Sequence, residues 1–141
     1  MKSKLSISFA LLVGLLGISG PTFAHHGAAA YDMTKPVEIK GAVVTKYLWA
    51  NPHALIFFDA KDDKGNIVHW SSEIGSPAAV GLVGWTRTTL KPGDVITIYV
   101  FEAKNGNHVG RTNKLILPDG TLMRDSQVGG DKGERADDAV R

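Results

Sequence analysis

Short runs of β-forming apolar residues recur along the chain between residues 37 and 117, and turn-forming residues separate them. This pattern predicts five β-strands, over residues 37–50, 53–60, 67–74, 95–101 and 109–117. Gly41 interrupts the first run, which indicates a bulge or a bend in that strand. The polar segment from Lys61 to Asn66 predicts a hairpin turn between the second and third strands.

The pattern changes after the third strand, where Gly75-Ser76-Pro77 precedes a short apolar stretch. Ser76 is a favourable helix N-cap, and Pro77 fits the first helical turn. We therefore predict a short, weak helix that ends near Gly84. The resulting order β-β-β-α-β-β is that of a small five-stranded OB-like barrel, a mainly β fold. A small β-sandwich is the alternative architecture.

The first 24 residues have the layout of a cleavable secretory signal peptide. Lys2 and Lys4 precede an apolar run of about 14 residues, and Thr22-Phe23-Ala24 places small residues before the expected cut. A run of this length is too short to span a bilayer comfortably. We therefore expect an exported protein that does not span the membrane after processing. It would be periplasmic if the source is a Gram-negative bacterium.

Removing residues 1–24 from the 141-residue chain leaves 117 residues, which suits one domain. We divide the chain into a signal peptide (1–24), a single β-barrel domain (25–122) and a flexible tail (123–141), since the tail is rich in glycine and charge. Lys2 and Lys4 account for the formal net charge of +2, so the processed chain is neutral. An exported, neutral domain predicts no nucleic-acid partner.

The chain contains no cysteine, which excludes disulfides, thiolate metal sites and thiol nucleophiles. The sequence also lacks the HExxH, P-loop and dinucleotide-binding motifs, and no serine lies in a nucleophile elbow. We therefore predict a protein that is not an enzyme. Any metal site must use histidine, carboxylate, methionine or the amino terminus.

Cleavage after Ala24 would leave His25-His26-Gly27 at the amino terminus. The free α-amine and the imidazole of His25 can chelate one metal ion, and a second imidazole would complete a set of three nitrogen ligands. Copper favours this nitrogen-rich, tetragonal geometry. We therefore predict a copper ion as cofactor and His25, His26 and His53 as its ligands. The alternative is that His25 and His26 are polar residues at a frayed end.

His53 is the best internal partner for this chelate, because it follows the rigid turn at Pro52 and begins the second strand. The alternative is an edge histidine bonded to a backbone carbonyl. Glu73 could approach His53 across the hairpin and orient its imidazole, although the polar face of that strand favours a solvated glutamate. His69 and His108 are expected to be exposed to solvent.

Seven short motifs resemble those of a family of small exported bacterial proteins classed as a domain of unknown function. They are Ala-His-His-Gly (24–27), Lys-Pro-Val-Glu-Ile-Lys-Gly (35–41), Trp-Ala-Asn-Pro-His (49–53), Glu-Ile-Gly-Ser-Pro (73–77), Gly-Trp-Thr-Arg (84–87), Leu-Lys-Pro-Gly-Asp (90–94) and Leu-Pro-Asp-Gly (117–120). The resemblance implies a signal peptide followed by one small β-domain, and it implies no activity. The positions that it carries over are His25, His26 and His53. The chain has Gly27 where relatives often have serine, and Ala54 where they often have a larger residue.

Three functions fit these observations. The first is a periplasmic metal-binding protein that holds copper through the amino-terminal histidine chelate and His53. The second is a metal-free interaction module, an accessory subunit that docks on an exported enzyme, since the domain is rich in aromatic residues. The third is an enzyme resembling the copper mono-oxygenases, since the same three nitrogen ligands can activate oxygen.

Overall fold

The computed structural model describes residues 28–125, which form six strands, one α-helix and a 3₁₀ turn. The strands are β1 (Val37–Leu48), β2 (Leu55–Lys61), β3 (Ile67–Glu73), β4 (Val95–Glu102), β5 (Val109–Ile116) and β6 (Leu122–Arg124). The helix α1 spans Pro77–Gly81, and the 3₁₀ turn spans Ala28–Ala30. Of the described helices, none is long and apolar enough to cross a membrane.

Five of the strands close into a barrel. Antiparallel pairing joins β1 to β2, β2 to β3, β1 to β4 and β4 to β5. The parallel pair β3–β5 completes the ring, while β6 pairs with β5 as an extra strand. The predicted OB-like barrel with one short helix is therefore confirmed, and the sheet closes on itself instead of splitting into the two layers of a sandwich.

Strand β1 serves two neighbours because it bends at Gly41. Its first half pairs with β4 and its second half with β2, and its register against β4 shifts between Ile39 and Ala42. Gly41 has a φ of 67°, a left-handed conformation that residues with a side chain rarely adopt. The bulge expected from the sequence is therefore confirmed.

The core lies inside the barrel, where alternate residues of the strands point inward and pack together. Helix α1 contributes Val80 to this core, and Ser76 caps the helix by accepting the N–H of Ala79 at 3.3 Å. The helix is shorter than expected, since it ends at Gly81 instead of near Gly84. The buried apolar side chains of the core cluster are Ala42, Val44, Ala54, Ile56, Phe58, Ala60, Ile74, Val80, Trp85, Leu90, Ile96, Ile98, Val100, Leu115 and Met123.

The packed domain continues to Asp125, which is three residues into the segment expected to be a tail. Strand β6 was not among the five strands predicted, and Met123 and Asp125 are both buried. The indole N–H of the buried Trp85 donates to the carbonyl of Arg124 at 2.9 Å, which fastens this strand to the core. The predicted ligands His25 and His26 and the rest of the predicted tail lie outside the described residues.

Candidate functional site

His53 lies in the loop between β1 and β2, directly after Pro52. The peptide bond between Asn51 and Pro52 is cis. Its neighbour Ala54 is buried, and this residue holds the loop to the end of β3 through two backbone hydrogen bonds. The Ala54 N–H donates to the carbonyl of Gly75 at 3.2 Å, and the Ile74 N–H donates to the carbonyl of Ala54 at 3.0 Å. The backbone at His53 is therefore fixed, while 35% of its side chain remains exposed.

The imidazole of His53 meets the carboxylate of Glu73, with Nδ1 3.3 Å from Oε2. The two residues come together because Glu73 pairs in register with Leu55, two residues after His53. Only 15% of the Glu73 side chain is exposed, so the solvated glutamate that the polar pattern favoured is wrong. The approach across the hairpin, which the sequence left open, is the arrangement found.

A buried arginine continues this contact into the protein. Arg111 Nη1 lies 3.7 Å from Glu73 Oε1, since the two residues pair in register across β3 and β5. Arg111 Nη2 lies 3.2 Å from Oδ2 of the buried Asp125. The other oxygen of Asp125 accepts the N–H of Gly75 at 2.9 Å. We call the side chains of His53, Glu73, Arg111 and Asp125 the ion-pair network.

The start of the described chain is fastened beside this network. Tyr31 forms an antiparallel bridge with Ala103, and the Ala30 carbonyl accepts the N–H of Lys104 at 3.1 Å. The Tyr31 side chain is buried. Its burial and the negative charge of Glu73 raise the pKa of the Tyr31 hydroxyl, so this group stays protonated and neutral at physiological pH. The described segment Ala28–Ala30 therefore leads directly into a residue that lies close to Glu73, the carboxylate partner of His53.

The other two described histidines lie on exposed surfaces, as expected. His69 Nδ1 contacts Asp59 Oδ1 at 2.6 Å across β2 and β3, and 83% of the His69 side chain is exposed. His108 is exposed and packs on the ring of Trp70, with 4.9 Å between the ring centroids. Neither histidine belongs to the ion-pair network.

The contact with Glu73 determines which nitrogen of His53 is available to a ligand. An ionised carboxylate only accepts hydrogen bonds, so Nδ1 of a neutral His53 ring carries the proton in this contact. The lone pair then lies on Nε2, which is the arrangement that most metal-binding histidines have. Within residues 28–125, however, no three His, Asp or Glu side chains come together in a way that could hold a metal ion. A three-nitrogen site at His53 would need ligands from elsewhere in the chain, where His25 and His26 lie.

The sequence pattern missed the two residues that support Glu73. Arg111 lies between Gly110 and Thr112 in a strand, where a charged residue normally faces solvent. Asp125 begins a polar, glycine-rich segment and looked like part of the tail. A local signal was present only for β6, because Leu122 and Met123 are apolar residues directly after the turn at Gly120.

Comparison with known proteins identifies a family but no function. The model of DUF6152, a family of unknown function, matches residues 12–113. The matched range includes His25, His26, His53, Glu73 and Arg111, and it confirms the resemblance to an uncharacterised family. No curated protein and no solved structure matches the chain.

Proposed function

The chain belongs to this family of unknown function, so we propose its function from the site alone. We propose an exported, periplasmic protein that binds one copper ion. The ligands are the amino terminus of His25, the imidazole of His25 or His26, and Nε2 of His53. The proposal assigns binding and no catalysis, and it depends on cleavage of the signal peptide after Ala24.

The observation that carries the proposal is the contact between His53 Nδ1 and Glu73 Oε2. A histidine that binds a metal ion almost always donates its other ring N–H to a carboxylate, a carbonyl or water, which fixes the ring and raises its basicity. Glu73 is mostly buried and contacts Arg111, so its carboxylate is held in position against the His53 ring. The Nε2 atom of His53 can then serve as the metal ligand.

Only a short segment separates the anchored start of the described chain from the expected amino terminus at His25. His25 lies three residues before Ala28, where the described 3₁₀ turn begins, and three extended residues span at most about 11 Å. Tyr31 is buried near Glu73, the residue that His53 contacts. The short segment and the position of Tyr31 support the proposal that the processed amino terminus lies near His53.

The donor set favours copper over the other common divalent ions. Three nitrogen ligands in a tetragonal arrangement suit Cu(II), which also has the highest affinity in the divalent series. The α-amine has an ordinary pKa of about 7.7–8.0 and must lose its proton to bind. Copper affinity should therefore fall as the pH is lowered, because protons compete for the amine and for the imidazoles.

The test is a Cu(II) titration of exported protein that mass spectrometry shows to begin at His25. We expect binding of one copper ion per chain, at submicromolar affinity in calorimetry, with a nitrogen-rich tetragonal EPR spectrum. His53→Ala, and separately one residue added before His25, should each weaken binding at least about 100-fold. His69→Ala is the matched control, since it removes another histidine paired with a carboxylate and should leave the affinity unchanged.

The proposal is abandoned if both altered proteins bind copper as tightly as the native protein does. Weak or non-stoichiometric binding by the native protein would leave the second candidate, a metal-free interaction module. One surface feature favours that candidate: Leu82, which is 89% exposed, and the exposed Val83 stand side by side after α1. Adjacent exposed apolar side chains are common in surfaces that bind other proteins.

A further inference from the structure

We infer that Asp125 is a positioning residue for His53, which it holds both at the ring and at the backbone. The inference rests on the proposed function for what His53 binds. The arrangement of the side chains can be tested in the metal-free protein. Asp125 is linked to His53 through other residues. Two routes connect them, and both consist of contacts between described residues.

The first route runs through side chains. Asp125 Oδ2 lies 3.2 Å from Arg111 Nη2, and Arg111 Nη1 lies 3.7 Å from Glu73 Oε1. The second oxygen of Glu73 faces Nδ1 of His53 at 3.3 Å. The guanidinium thus lies between two carboxylates. Its attraction to Asp125 limits how closely it approaches Glu73. This balance leaves Glu73 Oε2 directed at the His53 ring.

The second route runs through the backbone. Asp125 Oδ1 accepts the N–H of Gly75 at 2.9 Å, which fixes the peptide directly after Ile74. The carbonyl of the same Gly75 accepts the N–H of Ala54 at 3.2 Å. Ala54 follows His53 in the chain, so this route reaches the backbone of His53. Both routes therefore start at Asp125 and end at His53.

Most residues of the two routes are buried, which holds them in fixed positions. Asp125 and Arg111 are buried, and Ala54 is fully buried. Charged groups in such a site interact strongly, because little water is available to screen them. A change of charge at Asp125 should therefore change the interactions of the His53 ring. An equal change at an exposed carboxylate should be screened.

The variant that tests the inference is Asp125→Asn. It keeps an oxygen that can accept the Gly75 N–H, and it removes the negative charge beside Arg111. The arginine should then move closer to Glu73 and compete with His53 for that carboxylate. The His53 ring would lose its fixed Nδ1–H form and change towards the ordinary mixture of the two tautomers. In copper titrations, we expect Asp125→Asn to weaken binding about tenfold, the lower end of the effect of outer-shell changes.

The decisive measurement is nitrogen-15 NMR of the histidine side chains in metal-free protein, at a pH where the rings are neutral. In native protein we expect His53 to carry its proton on Nδ1. In Asp125→Asn the His53 ring nitrogens should shift, while those of the exposed His108 should not. Asp119→Asn is the matched control, because Asp119 is an exposed aspartate that accepts the Thr121 N–H of its own turn at 2.8 Å.

A second variant covers the case in which Asp125→Asn does not fold. Arg111→Lys keeps the positive charge but lacks the planar fork that can bind two carboxylates at once. It should shift the same His53 nitrogen signals. Ring nitrogens of His53 that stay at their native positions in the folded variants would overturn the inference. If these signals shift and the native protein does not bind copper, the proposed function fails while the positioning role stands.

Discussion

Replacing Arg111 by methionine should cost a large part of the stability of the domain. The change keeps a long apolar stem but removes the guanidinium between Glu73 and Asp125. Both carboxylates contact this guanidinium and are mostly or fully buried. Removing it would therefore leave two buried negative charges close together without this cation. Removing one partner from a buried ion pair typically costs about 3–5 kcal/mol.

This loss is a large fraction of the stability of a small domain, which is about 5–15 kcal/mol. The assay is urea unfolding at pH 7, followed by tryptophan fluorescence. With a slope of about 2 kcal/mol per molar urea, a loss of 4 kcal/mol lowers the unfolding midpoint by about 2 M. We therefore expect Arg111→Met to unfold at a much lower urea concentration than the native protein.

The matched control is Lys40→Met, which removes an exposed lysine that lies 3.4 Å from Glu38. Ion pairs on the surface contribute about 0–1 kcal/mol, so this variant should unfold close to the native midpoint. A variant that neutralises Glu73 and Asp125 as well, with glutamine and asparagine, should recover much of the loss, because no uncompensated charge remains buried. If Arg111→Met is as stable as Lys40→Met, the ion-pair network is not a buried ionic structure and the reasoning fails.

Two further predictions concern packing and pH. Gly110→Ala should lower the free energy of unfolding, measured in urea, by about 1–3 kcal/mol, because a Cβ at this position would lie 2.9 Å from Cβ of Val100. An unfolding midpoint equal to that of the native protein would show that β4 and β5 can move apart here at no cost. Burial raises the pKa of Tyr47 in the folded protein above its ordinary value of 10.0, so its contribution to stability is fully present below about pH 10 and is lost as the pH rises towards the folded pKa. Tyr47→Phe should therefore reduce the decline in stability seen by urea unfolding above pH 10, and an unchanged decline would contradict this assignment.

Much of the fold could be predicted because its determinants are local. The strands follow runs of β-forming residues, the bend in β1 follows Gly41, and the start of α1 follows from Ser76 and Pro77. These signals act within a few residues along the chain, where conformational preference and capping decide the structure. The helix end was predicted less closely, near Gly84 against the observed Gly81, because both glycines weaken the helix.

The supporting part of the candidate site could not be predicted, because its contacts are distant in sequence. Glu73 and Arg111 meet only through the parallel pairing of β3 and β5, which no local pattern specifies. Asp125 reaches Gly75 across 50 residues. A buried aspartate and an exposed one look alike in a polar segment, so only the closed barrel distinguishes them.

The three described histidines differ in their contacts and in their exposure. His69 has the shorter contact with a carboxylate, 2.6 Å to Asp59 against 3.3 Å from His53 to Glu73. Distance alone would therefore select His69. The His69 ring is 83% exposed, however, so water competes for its contact and its ring can turn away at little cost. His53 differs because its carboxylate is mostly buried and contacts Arg111, which Asp125 holds in turn. Burial of the partner, and not the length of one hydrogen bond, distinguishes the contact of His53 from that of His69.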